Sequence, residues 1–374
     1  MREVIVFGLD DAIGGVEIYA LTMQKLLRDD LRFLYVMEMP RNMHADAIRQ
    51  MDGEVYFIPR QDGLTAYIGN IRRKLTELRK RTDVLYLNLS NYSREMLYVF
   101  HLARKLKYRV VVHSHGAMLK TIESPLHRFT HKLVKRVSLY YIRYFTRVAV
   151  SQRAGVFMYG NRTFEILPAG IDLARFVFSP KDRAEVRKQW HCEDKSVLGF
   201  VGRLAEVKNV DFIIRVMKEL KDIAASEKPV LMIVGGGPLE EELRKLTDEL
   251  GLREDVIFTG FTDQVPKYLQ AMDCLIGASF SEGMPLGFME AQAAGLPCIC
   301  AEGRYPQEIA ATDLVRMIPL EAGERAWAEA IGKIMRTPGL EDKRKAFQAE
   351  TALKQFDQCY IARRLLQILC GTEN

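Results

Sequence analysis

The sequence predicts an α/β protein built from two doubly wound, Rossmann-like domains. Three observations carry this: a length of 374 residues, short β-branched runs that each lead through a turn into a longer stretch of helical period, and a point near the middle where that alternation starts afresh. A chain this long exceeds what a single hydrophobic core grows to fill, so two domains of ordinary size are expected. Strands alternating with helices are how parallel sheets read.

The first series of runs is EVIVFG (3–8), RFLYVME (32–38), EVYFIP (54–59), DVLYLNL (83–89), RVVVHSH (109–115) and RVAVS (147–151). The second is SVLGFVG (196–202), PVLMIVGG (229–236), DVIFTG (255–260), DCLIGAS (273–279) and LPCICAE (296–302). Between them EILPAGIDLARFVFSP (165–180) has prolines and a glycine but little helical period, which places the linker near 171–180. The last stretch, FDQCYIARRLLQILC (356–370), reads as an amphipathic helix able to pack on either domain. The expected division is residues 1–175 together with 355–374, and residues 176–354.

Hydrophobic content of 48% and charged content of 27% fit a soluble globular chain. The start lacks the apolar region and cleavage site of a signal peptide, and no apolar run reaches the roughly 18 residues that span a bilayer. A cytoplasmic protein is therefore expected, with any membrane contact peripheral. The six cysteines contain no CxxC pair, which favours reduced thiols over disulfides or metal. Of the net charge of +6, much is concentrated in 71–82 and in the aromatic-rich stretch 127–147. The second stretch reads either as a helix held at an anionic membrane surface or as a solvated helix face with its aromatics turned inward. No nucleic-acid partner is expected, because none of the usual binding modules is present.

In open parallel sheets, ligands bind beyond the carboxyl ends of the strands, where helix N-termini offer unpaired N–H groups. The glycines stand at such ends: Gly14 and Gly15 in the first half, Gly202, Gly235, Gly236, Gly237 and Gly283 in the second. SEGMPLGFMEAQAAGLP (281–297) places Glu282 on a loop and Glu290 one turn inside a helix starting at about Leu286, with the backbone of Gly283, Met284, Pro285, Leu286 and Gly287 between them. That backbone can cradle an anion while the carboxylates accept hydrogen bonds from sugar hydroxyls. GRLAEVKN supplies the countercharge, Arg203 and Lys208, suited to a leaving diphosphate without a metal. No Asp-x-Asp pair of the kind that holds a divalent cation on a sugar diphosphate occurs at these sites, so neither metal nor cofactor is expected. Neither glycine turn completes the dinucleotide fingerprint, since Asp10 and Glu240 occupy positions that require glycine. For Gly235–Gly237 two roles stay open, a tight turn before PLEEELRKL and donor contact; Glu308 is likewise either a donor ligand or a helix-start carboxylate.

Six segments in order, GGVE (14–17), HSH (113–115), PAGID (168–172), GRLAEVKN (202–209), GGGPLEEEL (235–243) and EGMPLGFMEAQAAGLPC (282–298), resemble the family-4 retaining glycosyltransferases of the GT-B fold along essentially the whole chain. Within that family the chain looks most like bacterial exopolysaccharide and capsule transferases. The resemblance implies two facing Rossmann-like domains with a central cleft, the final helix crossing back to the N-terminal domain. It implies transfer of a sugar from a UDP-sugar donor to a hydroxyl of a lipid-linked saccharide acceptor, with retained anomeric configuration and no metal. By the same resemblance Glu290 holds the ribose hydroxyls, Glu282 a donor sugar hydroxyl, Arg203 and Lys208 the diphosphate, and Gly15 brings backbone to the donor from the other domain. His113 lines the site beside the anomeric carbon, and Asn88 and His115 are acceptor-side candidates. Two positions depart from the family pattern: Ala169 where Asn is common, and Asn209 where Gly is frequent. The alternatives are a sugar-nucleotide epimerase on the same fold, or a non-catalytic binding protein, which would need no intact set of Arg203, Lys208 and Glu282.

Overall fold

The computed structural model describes residues 1–11, 14–60, 63–116 and 125–372. They divide into two compact units, Met1–Gly170 with Gln358–Asn374, and Ile171–Asp357.

Unit 1 carries seven parallel strands: β1 (Arg2–Phe7), β2 (Leu31–Met37), β3 (Glu54–Phe57), β4 (Val84–Leu89), β5 (Arg109–Ser114), β6 (Thr146–Ala149) and β7 (Glu165–Ile166), in the spatial order β3-β2-β1-β4-β5-β6-β7. Central β4 is buried at every position, as expected of a parallel strand covered on both faces. Leaving β1, Gly8 takes φ +93, and a Cβ there would stand 1.8 Å from the Asn88 carbonyl oxygen. Only glycine lets the two strand ends approach this closely.

The helix Gln358–Cys370 belongs to unit 1, burying Ile361, Ala362, Leu365, Ile368 and Leu369 and packing on the helix Gly15–Leu27. Arg364 grips Glu165 of β7 through two bonds of 2.5 and 2.9 Å, and Arg109 donates to the Ile368 carbonyl (2.8 Å) at the helix end, where cations are favoured.

Unit 2 carries six parallel strands: β8 (Val197–Val201), β9 (Val230–Val234), β10 (Val256–Gly260), β11 (Cys274–Gly277), β12 (Cys298–Ala301) and β13 (Val315–Ile318), in the order β10-β9-β8-β11-β12-β13. Residues 171–180, expected as linker, belong to this unit. Ile171, Leu173 and Phe176 are buried in its core, the Ile171 N–H donates to the Phe356 carbonyl (2.8 Å), and Ser179 caps the helix Pro180–Gln189. The division thus falls before Ile171 and after Asp357, a few residues from the expected boundaries.

Below the sheet, Asp273 accepts from Arg183 (2.5 Å), Arg187 (2.7 Å) and the Val197 N–H (2.8 Å), tying β8, β11 and the helix Pro180–Gln189 together. Arg344 donates beside it to the carbonyls of Leu269, Gln270, Met272 and Ala294. Among the described residues no helix is long and apolar enough to cross a membrane. Asp273→Ala would strand the Arg187 charge, at a cost of about 3–5 kcal/mol. Calorimetry should show the melting temperature falling by roughly 6–20 °C for a unit of this size.

Candidate active site

A doubly wound sheet reverses its winding at one point, and the loops there part to leave a crevice. In unit 2 the reversal lies between β8 and β11. Strand order alone therefore sets the Arg203–Lys208 loop beside the Glu282–Glu290 segment. The two are fastened by the Phe280 N–H to the Val207 carbonyl (2.9 Å) and by Asn209 Nδ2 to the Ala278 carbonyl (3.1 Å). Asn209 holds φ 54 and ψ 46, a left-handed conformation that asparagine tolerates better than most residues. This accounts for asparagine at a position where glycine is otherwise frequent.

Lys208 Nζ lies 2.5 Å from Glu282 Oε1. The exposed Arg203 guanidinium makes no hydrogen bond or ion pair among the described residues. The helix Leu286–Ala293 begins where the spacing predicts, capped by Pro285, and Glu290 stands one turn inside it. Gly283, Met284, Pro285, Leu286 and Gly287 form the approach to that helix and are all part-exposed. Burial pushes the Glu290 carboxyl up to about 7, opposed by Arg175 on the neighbouring turn Leu173–Phe176. Tyr305 supports the loop from below, its hydroxyl donating to Ser279 Oγ (3.0 Å), while the Glu282 N–H donates to the Arg304 carbonyl (3.0 Å).

The glycine loop after β9 has a structural task. A Cβ on Gly237 would stand 2.4 Å from the Leu204 carbonyl oxygen, and the Leu204 N–H donates to the Gly236 carbonyl (3.0 Å). These glycines back the Arg203 loop. Phe261, 76% exposed after β10, leaves an aromatic ring open at the same edge. Glu308 sits on the turn Gln307–Ile309 after β12.

In unit 1 the reversal lies between β1 and β4. Gly15 opens the helix Gly15–Leu27, and a Cβ there would meet nothing within 4 Å, so packing does not require glycine. Glu17 accepts from the Asp10 N–H (3.2 Å) and steadies that helix start. Asn88 is the penultimate residue of β4, with His113 opposite it in register on β5.

The structure corrects the expectation that His113 lines the site. The residue is 0% exposed, with Nδ1 2.7 Å from the Tyr86 hydroxyl and Nε2 3.1 Å from the Leu167 carbonyl. Burial holds its pKa down at about 3, so it is a neutral core residue with both nitrogens occupied. His115, just past the end of β5, is part-exposed; burial, then the neighbouring His113, hold it well below the usual histidine range. Its Nε2 lies 2.8 Å from Asn88 Oδ1. Sequence reasoning passed over Arg175, Tyr305, Tyr19 and Tyr86. Only Tyr86 left a signal, two residues before Asn88 on the same strand and hence on the same face.

Between about pH 4.5, the ordinary carboxyl value, and about pH 7, folded Glu290 keeps a proton that the unfolded chain has lost. Stability should therefore fall as pH rises through that window and level off above it. Glu290→Gln removes the dependence: melting curves of the nucleotide-free protein should match wild type most closely at pH 5, and the variant should be the more stable by pH 8.

Comparison with known proteins agrees with this architecture. Residues 182–353 match the family model described as Glycosyl transferases group 1. EpsF of Bacillus subtilis, to which a glycosyltransferase activity is ascribed, is 30% identical over 231 residues, 60% of this chain and 59% of EpsF. The GDP-mannose-dependent alpha-(1-6)-phosphatidylinositol monomannoside mannosyltransferase of Mycobacterium tuberculosis is 34% identical over 157 residues, 39% of this chain and 40% of that enzyme. The chain thus matches less than two thirds of the length of these relatives, 59% and 40%. The Anabaena protein HepE, solved with UDP and glucose, superposes with a TM-score of 0.79 at 18% identity, covering 99% of this chain and all of HepE. The fold is GT-B, and residues 182–353 match the group 1 glycosyl transferase domain.

Proposed function

We propose that the protein is a retaining, metal-independent glycosyltransferase that moves a sugar from a UDP-sugar to a hydroxyl of a lipid-linked saccharide in surface polysaccharide biosynthesis. The observation that carries the donor reading is the edge of unit 2 at the β8/β11 reversal. There an unpaired Arg203, the Lys208–Glu282 pair, the start of the helix Leu286–Ala293 and Glu290 come together. Arg203 and Lys208 stabilise charge on the departing diphosphate, which is worth most in a site organised before the reaction. Glu290 accepts ribose hydroxyls and Glu282 a hydroxyl of the donor sugar. With no carboxylate nominated as covalent nucleophile, the acceptor attacks on the face that the diphosphate leaves, and the leaving phosphate takes its proton. Gly15, Asn88 and His115 serve the sugar and acceptor from unit 1.

Docking at the cytoplasmic membrane face belongs to the same proposal. On the helix Pro125–Ile142 and the turn after it, Lys132, Leu133, Arg136, Tyr140, Arg143 and Tyr144 are exposed, a mixture that suits an anionic bilayer surface. Arg143 stacks over Tyr140 and Tyr144 at 4.1 and 4.5 Å, and Arg104 over Tyr144 at 3.5 Å. Arg147 drops out, because its guanidinium is spent on the carbonyls of Thr163, Ile142 and Phe145. Lys135 lies over Tyr92 and Phe157, and the side chain of Arg128 is outside the described residues.

At pH 8, above the raised Glu290 pKa, Glu290→Ala should weaken UDP binding by roughly ten- to 150-fold in calorimetry, the worth of hydrogen bonds to a charged acceptor. Unchanged affinity in a folded variant would remove Glu290 from the site. Arg203→Ala or Lys208→Ala should slow transfer by roughly 100-fold, with activity intact in EDTA. Rescue of an EDTA-silenced enzyme by magnesium or manganese would overturn metal independence. Replacing Lys132, Arg136 and Arg143 with Gln should weaken sedimentation with anionic vesicles by roughly 100-fold, at about 1 kcal/mol per charge. Neutral vesicles should not distinguish the two proteins, and equal binding to anionic ones removes the docking face.

A further inference from the structure

We infer that the chain self-associates by seating a basic face of unit 1 of one copy in an acid-rimmed apolar groove on unit 2 of another. The face is that of the helix Pro125–Ile142 and the turn after it. The inference rests on neither the donor reading nor the membrane reading above.

The groove lies against the helix Glu240–Glu249 and has a volume of about 580 Å³. Its apolar lining is Leu239, Leu243 and Leu246, spaced four and three residues apart and so on one helix face, joined by Phe280, which is 43% exposed. Glu206, Asp211 and Glu242 supply its charge, and all three are exposed. None has an ion pair or a side-chain hydrogen bond among the described residues. Glu240 and Glu241 beside them differ, being spent on Arg244 (2.8 Å) and Lys245 (3.0 Å). Asp211 and Glu242 stand in the first turns of their helices, where a carboxylate complements the dipole. That accounts for two of the charges, but neither for Glu206 nor for the apolar lining. The groove is also formed in advance, since the Phe280 N–H holds the Val207 carbonyl and Asn209 Nδ2 the Ala278 carbonyl. A preformed groove loses little ordering entropy when it is filled.

Charge complementarity selects the occupant. Residues 125–147 contain no Asp or Glu. Lys132, Arg136 and Arg143 are exposed there, and none pairs with a carboxylate among the described residues. Leu133, Tyr140 and Tyr144, in the same stretch, are 53%, 52% and 50% exposed, which leaves apolar surface for a partner to cover. Three cations set among apolar side chains thus match three carboxylates set among others. Each copy carries one face and one groove, so the contact joins unlike surfaces and a second copy supplies both partners.

Sedimentation velocity of the full chain is the test. Wild type should self-associate as its concentration rises and return to monomer in high salt, which screens exposed charges. Asp211→Lys with Glu242→Lys, and separately Lys132→Glu with Arg136→Glu, should each weaken self-association by roughly 100-fold, because like charges then meet. Mixed together, the two double variants should associate again, since the basic groove of one meets the acidic face of the other. A wild type that stays monomeric at about 100 μM, above the micromolar end of ordinary interfaces, overturns the inference. So does a mixture of the two folded variants that stays monomeric. All four positions are exposed, and should one variant not fold, the other still decides: unchanged self-association overturns the inference and its loss supports it. The basic face holds one partner at a time, so anionic vesicles should dissociate the complex. Association that survives them, with the charge swap working, would sink the membrane reading and leave this one standing.

Discussion

The reversal of strand order between β8 and β11 puts two loops side by side, and the bonds between those loops decide where each charged group of unit 2 stands. Phe280 to Val207 and Asn209 to Ala278 are the fasteners, and Gly237 allows the loop after β9 to press against the Leu204 carbonyl from behind. The glycines and the asparagine thus matter through the backbone. They let a cationic loop and a carboxylate loop sit within ion-pair distance, as Lys208 and Glu282 do. That pairing has a consequence for the donor. In the proposed donor complex a diphosphate would compete with Glu282 for the Lys208 ammonium group, whereas Arg203 has no partner among the described residues.

Much of the fold was legible because parallel strands covered on both faces read as unbroken apolar runs. The central strands β1, β4, β5, β8, β9, β11 and β12 carry such runs, and part-buried β3 (EVYF) and β6 (TRVA) still fall on short β-branched or aromatic runs. β7 has two residues, and β13 (VRMI) is only part-buried, so neither leaves a pattern that distinguishes it from loop. The segment 171–180 was misread for a related reason. Its prolines and glycine mark irregular backbone, but irregular backbone can still bury Ile171, Leu173 and Phe176.

The site was legible to the level of loops, not of atoms. Glu282 and Glu290 could be set on either side of a helix start because spacing and a proline suffice for that. The sequence reading put His113 at the site ahead of His115, whereas the structure buries His113 and leaves His115 part-exposed. His113 and His115 share a face of the strand, and what separates them is that β5 ends at Ser114, leaving one inside the ladder and one beyond it. Strand ends are not readable to one residue from sequence. The basic stretch shows the same limit in another form. Charge counted along 127–147 overstates the charge available to a partner, since Arg147 turns inward to close off backbone carbonyls.

The two units share a winding but present opposite chemistry at their reversals. At the edge of unit 2 stand cations and carboxylates that are part-exposed or exposed, two of them already paired. At the edge of unit 1 stand neutral rings and an amide, with Tyr19, Tyr86, Asn88 and His113 all buried. A diphosphate carries charge that must be met by charge and is released with more of it, so its partners need mobility and countercharge. A hydroxyl carries none, and its orientation is set by donors and acceptors that are held in place; burial keeps the His113 imidazole neutral. The split of ionic groups to one sheet edge and buried neutral groups to the other suits the proposed reaction between an anionic donor and a hydroxyl acceptor.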